Sequence, residues 1–231
     1  MEDRTLSQPL RYSRFSILYL PLIRTATSLR TPPPDMQIVL ATRNPGKVAE
    51  LRALLADLPV ELVSAADVEG APEVEEDAPT LEGNARKKAW ALHLHTDLPA
   101  LADDTGLEVD ALGGAPGVHS ARFAGPDAAD AANRAKLLND LSGAANRSAR
   151  FRTVLAFAEG DEMQFFEGVC EGTITEVERG VGGFGYDALF QPDGKTRTFA
   201  EMPAEAKNQI SHRGRALQQF ATFLDDRLNE R

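Results

Sequence analysis

Strand-like and helical runs alternate over the first half of this chain, and strand-like runs cluster over the second. That order predicts an α/β fold: a long mixed central β-sheet with flanking helices and a β-rich second lobe. Gln37-Ile-Val-Leu-Ala-Thr42 reads as a buried strand, and Arg43-Asn-Pro-Gly46 breaks it. Asn44 suits a helix N-cap and Pro45 the first helical position. Val48, Leu51, Leu54, Leu55 and Leu58 then fall on one helical stripe. Val60-Glu-Leu-Val63 reads as a second short strand, and residues 80–95 as a second helix on which Asn84 and Lys88, four apart, share a face. A strand runs into Asp103-Asp104, where a sharp turn at Thr105-Gly106 is expected, followed by a separate strand over residues 107–112. Residues 113–117 read as a loop and 127–141 as an alanine-rich helix. Residues 150–158 and 163–177 alternate β-branched and aromatic residues and are expected to pair. A flexible turn over 180–187 leads to a helix at 204–210 and a last helix from Ser211 to about Leu228, with Leu217, Phe220, Leu224 and Leu228 on one face.

Charge and cysteine content narrow the function. The chain has 231 residues and a formal net charge of −10. Residues 1–35 carry Arg4, Arg11, Arg14, Arg24 and Arg30 against Glu2, Asp3 and Asp35, a net +2 that leaves −12 for the remainder. So acidic a body argues against a nucleic-acid polymer as partner, because that affinity comes from lysine and arginine on phosphate. The apolar run Phe15–Ile23 is too short and interrupted to span a membrane, and no other segment reads as a span. Residues 1–35 are expected to be a flexible or mis-annotated tail ending in Thr31-Pro-Pro-Pro-Asp35, with transit-peptide-like composition as the alternative, and residues 36–231 the functional domain. Cys170 stands alone, so no disulfide framework or cysteine-based zinc site is available; a reducing cytoplasm is compatible with that.

Four constellations could carry chemistry. Thr42-Arg-Asn-Pro-Gly-Lys47 joins a strand to a helix N-terminus, where free N–H groups and the helix dipole favour an anion and Lys47 adds a charge. The spacing is not that of a P-loop. Glu76, Asp103 and Asp104 offer hard oxygen ligands of the kind Mg²⁺ takes together with substrate phosphates, although Glu76 also reads as one residue of a solvated acidic loop. Gly182-Gly-Phe-Gly-Tyr-Asp187 lets backbone approach a ligand closely and offers aromatics to stack on a base. Ser211-His-Arg-Gly214 puts His212 and Arg213 in the first turn of a helix, with Lys207 upstream. Cations there oppose the dipole, so either an anionic or acceptor-rich ligand or a carboxylate of the protein must compensate. His93 and His95, two apart on a helix, point in different directions and make a poor metal pair. Trp90 reads as packing, His119 as a loop histidine and Cys170 as inert.

Taken together, the strings Thr42-x-Asn44-x-x-Lys47, Ala102-Asp-Asp-Thr-Gly-Leu107, Leu112-Gly-Gly-Ala-Pro-Gly117, Gly182-Gly-Phe-Gly-Tyr-Asp187 and Ser211-His-Arg-Gly214 resemble, in order, the noncanonical purine nucleoside triphosphate pyrophosphatases (inosine/xanthosine triphosphate pyrophosphatases). The resemblance covers about residues 37–228. It implies a homodimer with a nucleotide cleft between two lobes, Mg²⁺ as cofactor, and hydrolysis of ITP, dITP or XTP to the monophosphate and pyrophosphate. Carried over residue by residue, it implies that Thr42, Arg43, Asn44, Pro45, Gly46 and Lys47 bind phosphates and that Lys88 helps neutralise them. Glu76 and Asp104 would hold Mg²⁺, and Asp104 would accept the proton of the attacking water. Thr105, Phe184, Gly185, Tyr186, Asp187, Lys207, His212 and Arg213 would line the nucleotide site. Asp103 is left with a supporting or turn-stabilising role. Two other readings are carried alongside: a pyrophosphatase for other nucleotides on a related fold, and a non-catalytic nucleotide sensor.

Overall fold

The computed structural model describes residues 36–229; the expectations for residues 1–35 lie outside the described residues. Strand β1 (Met36–Leu40) ends where Asn44 caps helix α1 (Pro45–Leu54), with Pro45 opening the helix as its fixed φ allows. Strand β2 (Val60–Ser64) returns parallel to β1. Helix α2 (Leu81–Thr96) starts at Thr80, whose hydroxyl accepts the Gly83 N–H, and ends at Asp97 in the left-handed conformation. Strand β3 (Ala100–Val109) then pairs parallel with β1 and antiparallel along its whole length with β5 (Ser148–Glu159).

Continuous β3 corrects one expectation. No turn follows Asp104: Thr105 pairs with Thr153, Gly106 with Arg152 and Leu107 with Phe151. Gly106 serves a close approach instead. A Cβ there would lie 2.6 Å from the Gly117 carbonyl oxygen of β4 (Pro116–Gly117), the short strand that pairs with β3. What read as a strand over 107–112 is the end of β3 followed by a single 3₁₀ turn at Asp110–Leu112.

Helix α3 (Asp130–Asp140) precedes β5. A tight connection joins β5 to β6 (Glu162–Ile174), and β7 (Phe190–Pro192) closes the edge, giving the order β2-β1-β3-β5-β6-β7 with β4 attached to β3. Helices α4 (Ala204–Ile210) and α5 (His212–Asn229) finish the chain. Among the described residues no helix is long and apolar enough to cross a membrane.

The site is positioned by how apolar side chains are distributed along β3. Leu101 joins Leu155, Phe157 and the buried faces of α1 and α5, including Leu51, Leu217, Phe220 and Leu224. Ala102, on the other face as strand alternation requires, joins Val154, Ala156 and α2. At the far end Leu107 and Val109 join Phe151, Leu137, Phe190 and Phe199. Between these cores β3 carries Asp103, Asp104 and Thr105. The two lobes therefore share long strands, and the cleft between them opens at the polar middle of β3.

Candidate active site

Two adjoining chambers open at that point and share Asn44, Lys47, Thr105 and Ala121 in their walls. The larger, about 320 Å³, is bounded by Thr42, Arg43, Glu76, Lys88, Asp103 and Asp104. The smaller, about 130 Å³, is bounded by Phe184–Asp187, Lys207, His212 and Arg213. Each chamber thus gathers the residues of two of the four sequence constellations.

In the larger chamber, Asp104 Oδ1 accepts a hydrogen bond from the Lys88 ammonium at 2.9 Å and Oδ2 accepts one from Asn84 Nδ2 at 3.3 Å. Asn84 and Lys88 meet the same carboxylate because four residues of helix return to the same face. Lys88 also reaches Glu76 Oε1 at 2.8 Å and the Asp103 carbonyl at 2.7 Å. Arg122 donates to the Glu76 carbonyl at 2.6 Å and tethers the acidic loop. Burial pushes the Asp104 carboxyl above its ordinary value, and the nearby ammonium offsets only part of that; the Lys88 ammonium itself rises, because Asp104 and Glu76 outweigh its burial.

Backbone groups at the start of α1 are already engaged. Asn44 Oδ1 accepts the N–H groups of Gly46 (2.9 Å) and Lys47 (3.3 Å), and Thr42 Oγ1 accepts that of Asn44 at 3.2 Å. Pro45 has no N–H to offer. Attraction for an anion on this wall therefore falls on the side chains of Lys47 and Arg43 rather than on free amides. Arg43 holds the Ala71 carbonyl at 2.8 Å, and Lys47 lies 3.0 Å from Asp103 Oδ1.

Asp103 does not stabilise a turn. It is buried and faces the α1 and α5 side of the sheet, where Arg213 donates to Oδ2 at 3.1 and 3.2 Å. Burial by itself would raise this carboxyl, but the charges of Lys47 and Arg213 prevail and hold it far below the usual carboxylate range. Arg213 continues to Glu50 Oε2 at 2.5 Å, Glu50 to Lys207 at 2.8 Å, and Lys207 to Asp187 Oδ2 at 2.8 Å. A buried ladder of alternating charge, Lys47–Asp103–Arg213–Glu50–Lys207–Asp187, so runs from one chamber to the other. The protein's own carboxylates answer the cation placed at the start of α5. Sequence reasoning missed Glu50, although its position three residues after Lys47 puts both on one face of α1.

In the smaller chamber the Phe184 ring has the Lys207 ammonium 5.0 Å and the Arg213 guanidinium 5.5 Å from its centre. Its edge lies so close to Gly46 that a Cβ there would meet it at 2.9 Å, so the phosphate-side and ring-side loops touch. Asp187 Oδ2 accepts the Phe184 N–H at 3.0 Å. Gly183 adopts φ +72°, and a side chain there would strike the Asp187 carboxylate. Tyr186 is a pillar rather than a free contact: it is buried and its hydroxyl donates to the Ser120 carbonyl at 2.8 Å. His212 is not a cation. Burial first, then the charges of Arg213 and Lys207, drive its basicity well below normal. The neutral ring stacks on Phe151 at 4.5 Å, and its buried Nδ1 has no hydrogen-bond partner. Thr105 joins Thr153 at 2.6 Å and Arg213 at 3.2 Å.

The residues set aside stay aside. His93 bonds the carbonyls of Leu98 and Gly160, and His95 that of Glu69. Trp90 packs beside the α2 core. Cys170 is buried and its thiol is pushed up to about 11. Among the described residues no three His, Cys, Asp or Glu side chains gather as a metal cage.

Residues 38–223 match the Ham1 family. The chain belongs to that family. Among its relatives, the dITP/XTP pyrophosphatase of Syntrophobacter fumaroxidans is 52% identical over 190 residues, covering 81% of this chain and 82% of that protein. The dITP/XTP pyrophosphatase of Geobacter sulfurreducens is 52% identical over 184 residues, covering 78% and 92%. The solved HAM1 protein from Coxiella burnetii superimposes with a TM-score of 0.77 at 42% identity, covering 83% of this chain and 99% of the other. Membership accounts for the fold, and the Ham1 structures share its mixed sheet with flanking helices.

Proposed function

We propose that this Ham1-family chain is an Mg²⁺-dependent hydrolase of noncanonical purine nucleoside triphosphates (ITP, dITP and XTP), releasing the monophosphate and pyrophosphate. The observation that carries the reading is one cleft with two unlike halves. A carboxylate–lysine chamber suits a polyphosphate and an aromatic chamber walled by buried donors suits an oxo-purine. Its close relatives include dITP/XTP pyrophosphatases.

In this reading Lys47, Lys88 and Arg43 bind the triphosphate, whose transfer chemistry depends on positioning and charge neutralisation. Glu76 and Asp104 fit Mg²⁺: two hard carboxylates at a cleft, brought together around the Lys88 ammonium, suit an ion that otherwise keeps water and substrate phosphates as ligands. When bound, the ion supplies charge neutralisation at the phosphates. Asp104, its proton affinity raised by burial above that of an ordinary aspartate, accepts the proton as water attacks the α-phosphorus; the α–β anhydride bond breaks and pyrophosphate leaves. The base stacks on Phe184. Lys207 and Arg213 favour the oxygen at purine position 6, and the amino group of adenine meets donors there and is rejected. His212, neutral with a free buried nitrogen, adds one donor or acceptor. Homodimerisation and residence in the cytoplasm belong to the same reading, the first carried by the family resemblance and the second compatible with the lone Cys170; light scattering on the purified chain tests the first. A catalytic domain over residues 36–231 is part of it too.

Pyrophosphate release from ITP, XTP, dTTP and ATP, with and without Mg²⁺, tests the proposal. Turnover of ITP and XTP only with the metal, and far slower release from dTTP and ATP, is the expected result. Equal turnover of dTTP would move the chain to the broader pyrophosphatase reading, and binding without release to the sensor reading.

A further inference from the structure

Helix α3 touches the smaller chamber only at its first turn, through Asp130, yet it grips the loop that carries the stacking ring. The Gly185 N–H donates to Asp130 Oδ2 at 2.6 Å, and Arg134 Nη1 donates to the Gly185 carbonyl at 2.9 Å. Asp130 and Arg134 are four apart and so share a helix face; between them they take both polar groups of one peptide residue. Arg134 is held in turn by Glu178 Oε1, 3.0 Å from its Nε. Gly185 adopts φ +59°, and beyond its two chain neighbours no heavy atom stands within 4 Å of where a Cβ would be. The glycine therefore answers a backbone conformation, not a lack of room, and at this residue the loop is held through its peptide groups. The other end of the clasp is anchored: buried Asn133 accepts the Ala124 N–H and donates to the Ala121 carbonyl, and Leu137 lies in the second core.

We propose that Asp130 and Arg134 are positioning residues that clasp the Gly185 peptide and so set the Phe184 ring against the base, without touching the reacting phosphates. The clasp rests on the nucleotide reading for its kinetic consequence and not for its effect on the loop. The test is Arg134→Ala in the full-length protein. Amide exchange over residues 182–188 becomes faster while exchange in β5 is unchanged. KM for ITP rises about fivefold with kcat within about twofold, as expected when only binding energy of a remote part of the substrate is lost. The inhibition constant of inorganic pyrophosphate, which needs no base contact, stays at the wild-type value. Arg134→Gln, which keeps a donor for the Gly185 carbonyl and gives up the Glu178 pair, recovers most of the exchange protection and of KM. Unchanged exchange over 182–188 in Arg134→Ala would overturn the clasp, as would a pyrophosphate inhibition constant that weakens in step with KM. A wild-type enzyme inert toward ITP would remove the nucleotide reading and leave the exchange result to decide the clasp alone.

Discussion

Asp103 and Asp104 are the same residue type, adjacent on one strand, and they inhabit opposite electrostatic worlds. Strand alternation turns Asp103 toward α1 and α5, where Lys47 and Arg213 hold it as a permanent carboxylate. It turns Asp104 toward α2, where burial outweighs the help of Lys88 and raises its proton affinity. When two titratable groups are pushed apart in this way, the environment has divided their roles. One is a fixed anion that holds two cations in place, and the other is a group able to exchange a proton. The difference lies in which helix covers each face of the sheet.

The largest expected effect breaks the Asp104 half. Asp104→Asn removes the proton acceptor and lowers kcat for ITP by about 10²–10⁴-fold, with a melting temperature close to wild type, because Lys88 keeps Glu76 as a partner. Near-normal turnover in that variant would sink the assignment. Asp103→Asn breaks the other half and reads out as stability. It strips a carboxylate from between two buried cations, a change that costs about 3–5 kcal/mol and, for a chain of this size, lowers the melting temperature by about 10 °C. If the two variants behaved alike in melting and in turnover, the division of roles would be wrong. Next in size, Phe184→Ala removes the stacking platform and raises KM for ITP by the equivalent of about 1–3 kcal/mol; an unmoved KM would take the ring out of base recognition.

Much of this was legible in the chain. Asn44 and Pro45 announced the start of α1, Asn84 and Lys88 did converge on one group, and the paired strands β5 and β6 followed their alternation. What escaped has a common cause. Gly106 was read as a turn because its role, admitting the Gly117 carbonyl, depends on a strand ten residues away. Glu50 was passed over because its partners Lys207 and Arg213 lie more than 150 residues on. Arg213 called for either a ligand or a carboxylate of the protein, and only folding shows that Asp103 and Glu50 supply the second. The capped amides of Gly46 and Lys47 show the reverse: a signal for anion binding that is real in the sequence and already answered locally by Asn44. Local chemistry was readable; the pairing of distant charges was not.

His212 offers the finest test of the comparison, because it feels the charges of Arg213 and Lys207, two cations of the ladder that Asp103 anchors. Its ring is buried beside Phe151, and burial with the charges of Arg213 and Lys207 keeps it neutral in the folded protein. In the unfolded chain it titrates near the ordinary value of 6.5. Below that pH the unfolded state therefore binds a proton that the folded state refuses, so stability falls as pH falls, by about 1.4 kcal/mol per unit once the unfolded histidine is protonated. The loss begins near 6.5 and ends only when the depressed folded value is reached. Melting temperature measured from pH 7.5 down to 5.5 should decline in the wild type, and His212→Gln, which cannot take up the proton in either state, should decline less over the same interval. Parallel pH profiles for the two proteins would mean that the imidazole shares its charge state between folded and unfolded chains, and that the cations of the ladder do not reach it.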